Sequence, residues 1–359
     1  MKAGLAAVFG LALSLGAAGA LAQTQGPRTL RLSGEAPAAK DPAPRAFVID
    51  ADVKPGDSDF QTSIDGWLAS TAAPASSGEV EGTCVEHRCV LTADLDDAKF
   101  ILTGDFGDAA GPVGAHFTVK DPDDKTLQEG AASVRPFNGQ VAGLGELAAP
   151  DALTEARMDD LLLWNHQSVS SGSPPGDDPP SSSQREALAS WQQDRGRLAT
   201  GLIFTADIAE LHADAEAARK AAGWTPLGDA AHGWRAGYPA AILTKSSRVG
   251  PEQRFTSADG KAVLVIAVDA PMSSDDFDAF VEKVSADREG RTEVDTIRAN
   301  GDLQMSFEEA GMVTVAAYHD RDNGLARVIF TYPVKAKAAY EPVETIVQHS
   351  LVVTDDLKP

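Results

Sequence analysis

The hydrophobic pattern of this chain changes period near residue 150, and that change limits the folds open to it. Upstream the apolar residues alternate. Across 89–95, Leu91, Ala93 and Leu95 stand against Val90, Thr92 and Asp94. Comparable stretches cover 44–53, 99–106 and 113–120, separated by the turn formers Asp105-Phe106-Gly107-Asp108 and Asp121-Pro122-Asp123-Asp124. A period of two buries one face of a strand, and short strands joined by turns predict a small antiparallel sandwich or barrel. From Asp151 the spacing turns helical. Leu153, Met158, Leu161, Leu162 and Trp164 share a face over 151–167, with Asp151 or Thr154 as the cap. The predicted fold class is α+β and multi-domain: a β-rich sandwich or barrel over 23–150, a helical unit over 151–224 and an α+β sandwich over 225–359.

The first 22 residues read as a signal peptide. Lys2 supplies the positive start, residues 5–15 a short apolar core, and Ala20-Leu21-Ala22 an A-x-A cleavage site. The expectation is a periplasmic or secreted protein beginning near Gln23. No later stretch approaches the ~18 apolar residues that a membrane-spanning helix needs. Export gives the two cysteines a meaning. Cys84 and Cys89, in Cys-Val-Glu-His-Arg-Cys, read in an oxidising compartment as a disulfide closing a tight hairpin. A zinc site would add His87 to the thiolates but has no fourth ligand nearby. The formal net charge of −22 repels phosphate backbones and anionic lipid, which disfavours nucleic acid and membrane surfaces as partners.

Residues 168–183 (SVSSGSPPGDDPPSSS) have almost nothing to bury and read as a linker or a long surface loop. A helical pair follows over 184–223. Leu188 and Trp191 lie on one face, and Gly196 suits the left-handed residue that stops a helix. Thr205 is the expected cap of the second helix, with Asp207 and Glu210 near its positive end. Ile208, Leu211, Ala215 and Ala218 continue the stripe to Gly223. Beyond it come a strand at 262–268 and a helix from Ser274 carrying Phe277, Phe280, Val281 and Val284. Strands at 312–319 and 326–332 are joined through Asp322-Asn323-Gly324, a hairpin signal. A last helix over 337–351 carries Tyr340, Val343, Ile346 and Val347.

Ala187, Leu188, Trp191, Gln192, Gly196, Thr200, Gly201, Ile203 and Leu211 follow a fixed spacing without a gap. On those positions the segment 187–211 resembles the second half of the peptidoglycan-binding domain of bacterial wall hydrolases. Arg197 and Asp207 stand where that pattern has Leu and Thr. The resemblance implies contact with peptidoglycan through Trp191, Gln192, Thr200 and Gly201. A plainer reading has Trp191 packing the helix pair and Gln192 bonding a neighbouring backbone. Farther on, Tyr238-Pro239, Phe255-x-Ser257-x-Asp259-Gly260, Tyr332-Pro333 and Ile346-Val347-x-x-Ser350-Leu351 resemble the Mog1/PsbP-like fold, whose modules are assembly or binding units.

Signatures of catalysis are missing from the sequence. It has no Gly-x-Ser-x-Gly elbow, Walker loop, His-Glu-x-x-His or dinucleotide glycine pattern, and its seven histidines are scattered. His319-Asp320-Arg321-Asp322-Asn323-Gly324 holds part of a calcium loop but lacks its third alternating ligand and distal Glu. No cofactor or metal is expected. The function expected is that of an exported, non-catalytic envelope binding or scaffold protein that contacts peptidoglycan or an envelope protein. One alternative is a wall hydrolase or hydrolase inhibitor, with a site between domains where carboxylates, or a histidine and a carboxylate, converge. The other is a purely structural protein whose helical pair only bridges two domains, a reading that sealed Trp191 and Gln192 side chains would favour.

Overall fold

Eight antiparallel strands close into a barrel at the N-terminal end of the computed structural model. It describes residues 28–36, 46–55, 61–71, 76–85, 88–95, 98–106, 113–149, 152–167, 180–229, 233–286, 288–299, 301–322 and 324–353. The signal peptide, His87, most of the Ser/Pro-rich stretch and Asn323 lie outside the described residues. The barrel strands are β1 (Arg28–Glu35), β2 (Ala46–Pro55), β3 (Gln61–Ser70), β4 (Ser77–Val85), β5 (Arg88–Leu95), β6 (Ala98–Asp105), β7 (Val113–Lys120) and β8 (Thr126–Pro136). Each pairs with the next, and β1 closes on β8 with Leu32 opposite Pro136 and Glu35 opposite Ser133. Of the sandwich and the barrel, the chain forms the barrel.

Alternation decides what fills it. Ile49, Leu91, Leu102 and Phe117 point inward and are buried, and Phe100 contacts Phe47 at 5.3 Å and Phe117 at 6.1 Å between ring centroids. Arg88, Asp94, Lys99 and His116 face out and are exposed. An apolar interior under a polar exterior is the reverse of a barrel that faces lipid. Cys84 and Cys89 stand directly opposite each other on β4 and β5 and form the expected disulfide.

After the barrel come a two-stranded ribbon, β9 (Gln140–Val141) and β10 (Gly145–Glu146), then α1 (Glu155–Trp164), α2 (Ser182–Asp194) and α3 (Thr205–Ala222). The remaining strands and helices are β11 (Trp224–Asp229), β12 (Trp234–Pro239), β13 (Lys245–Val249), β14 (Glu252–Thr256), β15 (Val263–Asp269), α4 (Ser274–Ser285), β16 (Arg291–Ala299), β17 (Asp302–Glu309), β18 (Met312–Arg321), β19 (Gly324–Pro333), α5 (Lys337–His349) and β20 (Val352–Val353). A seven-stranded sheet runs β13-β14-β15-β19-β18-β17-β16, and a three-stranded one runs β11-β12-β20. The alternation of β18 splits the core. Val313, Val315 and Ala317 join the cluster that holds Val343, Ile346 and Val347 of α5, whereas Ala316 and Tyr318 meet Phe277 and Val281 of α4. The α5-side cluster also takes in Leu161, Leu188, Trp191 and Leu211. The three helices of the middle segment therefore share one core with the C-terminal sheet across residue 224.

Local signals explain most helix ends. Thr154 Oγ1 accepts from Arg157 N at the start of α1, and Ser273 Oγ accepts from Asp276 N at the start of α4. Gly196 and Gly223 adopt left-handed φ of 67° and 59°, as the helix stops require. Two expectations are corrected. Thr205 is the first helical residue of α3, not its cap; the cap position belongs to Phe204, whose backbone pairs with Leu147 and whose ring is buried. The end of the 168–183 stretch is not linker: Ser181 caps α2, its N–H donating to Gln184 Oε1 at 2.9 Å.

Because the Cys84–Cys89 bridge closes a very short loop, chain-entropy reasoning limits its contribution to about 2 kcal/mol. The double variant Cys84→Ser/Cys89→Ser is expected to stay folded and to melt a few degrees lower. Thermal unfolding followed by circular dichroism checks this.

Candidate functional site

Strand parity sends Trp67 and Ala69 to the outside of the barrel, yet Trp67 is 1% exposed and Ala69 0%. Their outer face is covered by the loop entering α3. Val48, Trp67 and Ala69 form a cluster with Val141, Leu147, Leu202 and Phe204, separate from both large cores. Trp67 Nε1 donates to the Thr200 carbonyl at 2.7 Å, and Gly201 lies against the indole. A Cβ on Gly201 would stand 2.8 Å from both Trp67 Nε1 and the Arg185 carbonyl, and its φ is +63°. Only glycine suits a left-handed residue with a neighbour that close.

Gln192 organises this loop from α2. Its Oε1 accepts from Thr200 N at 2.9 Å, Gly201 N at 3.0 Å and Thr200 Oγ1 at 3.2 Å. Its Nε2 donates to the Leu202 carbonyl at 3.0 Å and to Asp207 Oδ2 at 2.8 Å. Both amide donors and the amide oxygen are thus occupied internally. Burial raises the Asp207 carboxyl, against the bonds from Gln192 and the Arg197 guanidinium. Trp191 is 0% exposed; its Nε1 donates to Asn165 Oδ1, and the Arg195 guanidinium stacks on its ring 4.1 Å from the centroid.

Trp191, Gln192, Thr200 and Gly201 are therefore brought together as the sequence implies, but the open recognition face expected of them is not formed. The hydrogen-bonding groups that would grip a glycan hold the chain's own loop, and the barrel covers that loop from outside. Sequence reasoning missed the other half of the joint: Trp67, Asp50 and Arg185. Asp50 sits 3.0 Å from Arg31 Nε and 3.8 Å from Arg185 Nη2. Burial pushes the Arg185 guanidinium below its ordinary value, against the pull of Asp50 and Asp52. One signal was present. Trp67-Leu68-Ala69 is an unbroken apolar run in a region of alternating strands, and such a run marks burial on both faces.

A second feature lies away from this joint. A cleft of about 420 Å³ opens between the end of α1 and α5, lined in part by His166, Gln167, Glu341 and Glu344. Tyr332 Oη donates to Glu344 Oε2, and burial raises the Glu344 carboxyl despite that bond. Among the described residues no three His, Cys, Asp or Glu side chains come together to hold a metal ion, and no helix is long and apolar enough to cross a membrane.

No protein-family model and no curated protein matches this sequence. Among solved structures the chain is similar to the solution structure of cyanobacterial PsbP (CyanoP) from Synechocystis sp. PCC 6803. The identity is 13%, the coverage 36% of this chain and 92% of that one, and the TM-score 0.27. A likeness of that size carries no functional weight, and nothing found supports the peptidoglycan-binding resemblance.

Gln192→Leu would leave two buried N–H groups and the Leu202 carbonyl short of partners, and is expected to cost about 3 kcal/mol. Gly201→Ala combines a strained φ with a close contact and is expected to cost about 2 kcal/mol or more. Urea unfolding of the two variants measures both.

Proposed function

We propose that this protein is an exported, non-catalytic scaffold of the cell envelope. A helical pair laid out like half of a wall-recognition module here joins a barrel to an α+β module. The supporting observation is the saturated Gln192 amide beneath the Trp67–Thr200 bond. The glycines and aliphatic residues of the resemblance specify the turn, so that geometry survives without the ligand contact. On this reading, any contact with peptidoglycan or an envelope protein is made by the outer surfaces of the two modules.

Two measurements test the joint. Trp67→Ala is expected to cost about 3–5 kcal/mol and to separate barrel unfolding from that of the remainder. Hydrogen exchange of the intact mature chain with soluble sacculus fragments is expected to show no added protection over 187–211. Protection concentrated there would overturn the joint and restore wall recognition by Trp191 and Gln192.

A second reading, a wall hydrolase, is favoured by one observation, the cleft that gathers His166, Glu341 and Glu344. A carboxyl raised by burial and held by a tyrosine hydroxyl has the character of a general acid. Its test is release of soluble fragments from labelled sacculi. Release by the wild type that is lost in a folded Glu344→Gln variant would favour it, and no release by the wild type removes it.

A further inference from the structure

The cleft between the end of α1 and α5 is rich in acceptors and short of donors. Glu341 and Glu344 of α5 line it, with Gln167 and the exposed His166 on the α1 side. Leu163 of α1 and Pro342 and Ile346 of α5 supply its apolar lining. The neighbouring donors are already committed. Tyr332 Oη donates to Glu344 Oε2, and Gln167 Nε2 donates to Asp194 Oδ2 at 3.1 Å. Gln167 therefore offers the cleft its amide oxygen, and an ionised carboxylate can only accept.

These carboxylates also lack a counter-ion. Lys337, one turn before Glu341 on α5, has its ammonium bound by Glu293 at 2.9 Å and Glu308 at 3.2 Å. Among the described residues neither Glu341 nor Glu344 forms an ion pair. Burial, and after it the nearby Glu341, raise the Glu344 carboxyl, as befits a carboxylate without a cation beside it. A metal ion fits badly, because no three His, Cys, Asp or Glu side chains of the described residues converge and a hard cation takes six or more oxygens. An ammonium asks for less: its three N–H donors need three acceptors around one nitrogen.

We propose that this cleft binds a primary amine, with the ammonium among Glu341, Glu344 and the Gln167 amide oxygen and its carbon chain along Leu163 and Pro342. The site supplies the acceptors and the negative charge, and the ligand supplies the donors and the cation that the cleft lacks. The inference rests on neither functional reading above. Holding an amine breaks no bond, so amine binding and release of sacculus fragments succeed or fail separately.

The experiment is an NMR titration of the intact mature chain with n-pentylamine and, in parallel, with n-pentanol, which has the same carbon chain and no charge. Salt at about 0.15 M screens the diffuse attraction of an acidic surface for any cation. Saturable amide shifts at Gln167, Glu341 and Thr345 are expected with the amine, at an affinity on the order of millimolar for so small a ligand. The alcohol is expected to bind about tenfold more weakly or not at all. Glu344→Gln keeps an acceptor for Tyr332 while removing the charge, and is expected to weaken amine binding about three- to tenfold. Shifts scattered over the acidic surface without saturation at the cleft, equal binding of the alcohol, or an unchanged affinity in Glu344→Gln would overturn the proposal. Should that variant not fold, Glu341→Gln, at an exposed position, is judged by the same criteria.

Discussion

The two halves of this molecule meet around one buried indole. Trp67 faces outward from a barrel strand and would be an exposed aromatic were the barrel alone; its Nε1 bond to the Thr200 carbonyl gives it a partner on the helical side. That carbonyl is correctly aimed because Gln192 holds the peptide groups of Thr200 and Gly201. Gly201 in turn allows the approach, since any side chain there would collide with the indole. Each of the three is intelligible only with the other two. A buried amide with every donor and acceptor satisfied fixes a single geometry, whereas a half-satisfied one would be a liability.

The same competition between burial and pairing sets the electrostatics elsewhere. Asp207 is bonded by Gln192 and Arg197, yet burial wins and its carboxyl rises. Asp302 is half-buried, and there His319 and Arg321 prevail over burial and its carboxyl falls. The difference lies in depth, Asp302 being the more exposed of the two, and in its second partner. At His349 burial is the larger cause, and it holds the imidazolium below its ordinary range. The direction of each shift is thus decided by how deeply the fold sets the group and which side chains it brings beside it.

Much of the architecture was legible in short-range pattern. Leu91, Ala93 and Leu95 alternate because β5 is solvated on one face, and the helix stops at Gly196 and Gly223 followed from their need for left-handed φ. The cysteine pair was legible because five residues permit little besides a hairpin. Less visible were strands whose pattern answers to two neighbours at once. β3 loses its alternation at Trp67-Leu68-Ala69 because one face fills the barrel and the other meets the joint. β16 is exposed from Thr292 to Arg298 at the edge of the seven-stranded sheet, so it carries no buried apolar stripe to detect. The structure places the four residues of the wall-like segment together, but the covering of Thr200 and Gly201 depended on a strand more than 100 positions away.

Taken alone, the sequence determined the local pieces: alternating strands before residue 150, capped helices after it, the disulfide hairpin and the Thr200-Gly201 turn. Those depend on backbone preference and on one-face burial, which neighbours along the chain already encode. The tertiary structure decided that the strands close into a barrel, that the middle helices share a core with the C-terminal sheet, and that Trp191 and Gln192 face inward. Burial is a property of what lies opposite, and what lies opposite Gln192 is a loop pressed down by a tryptophan from another module.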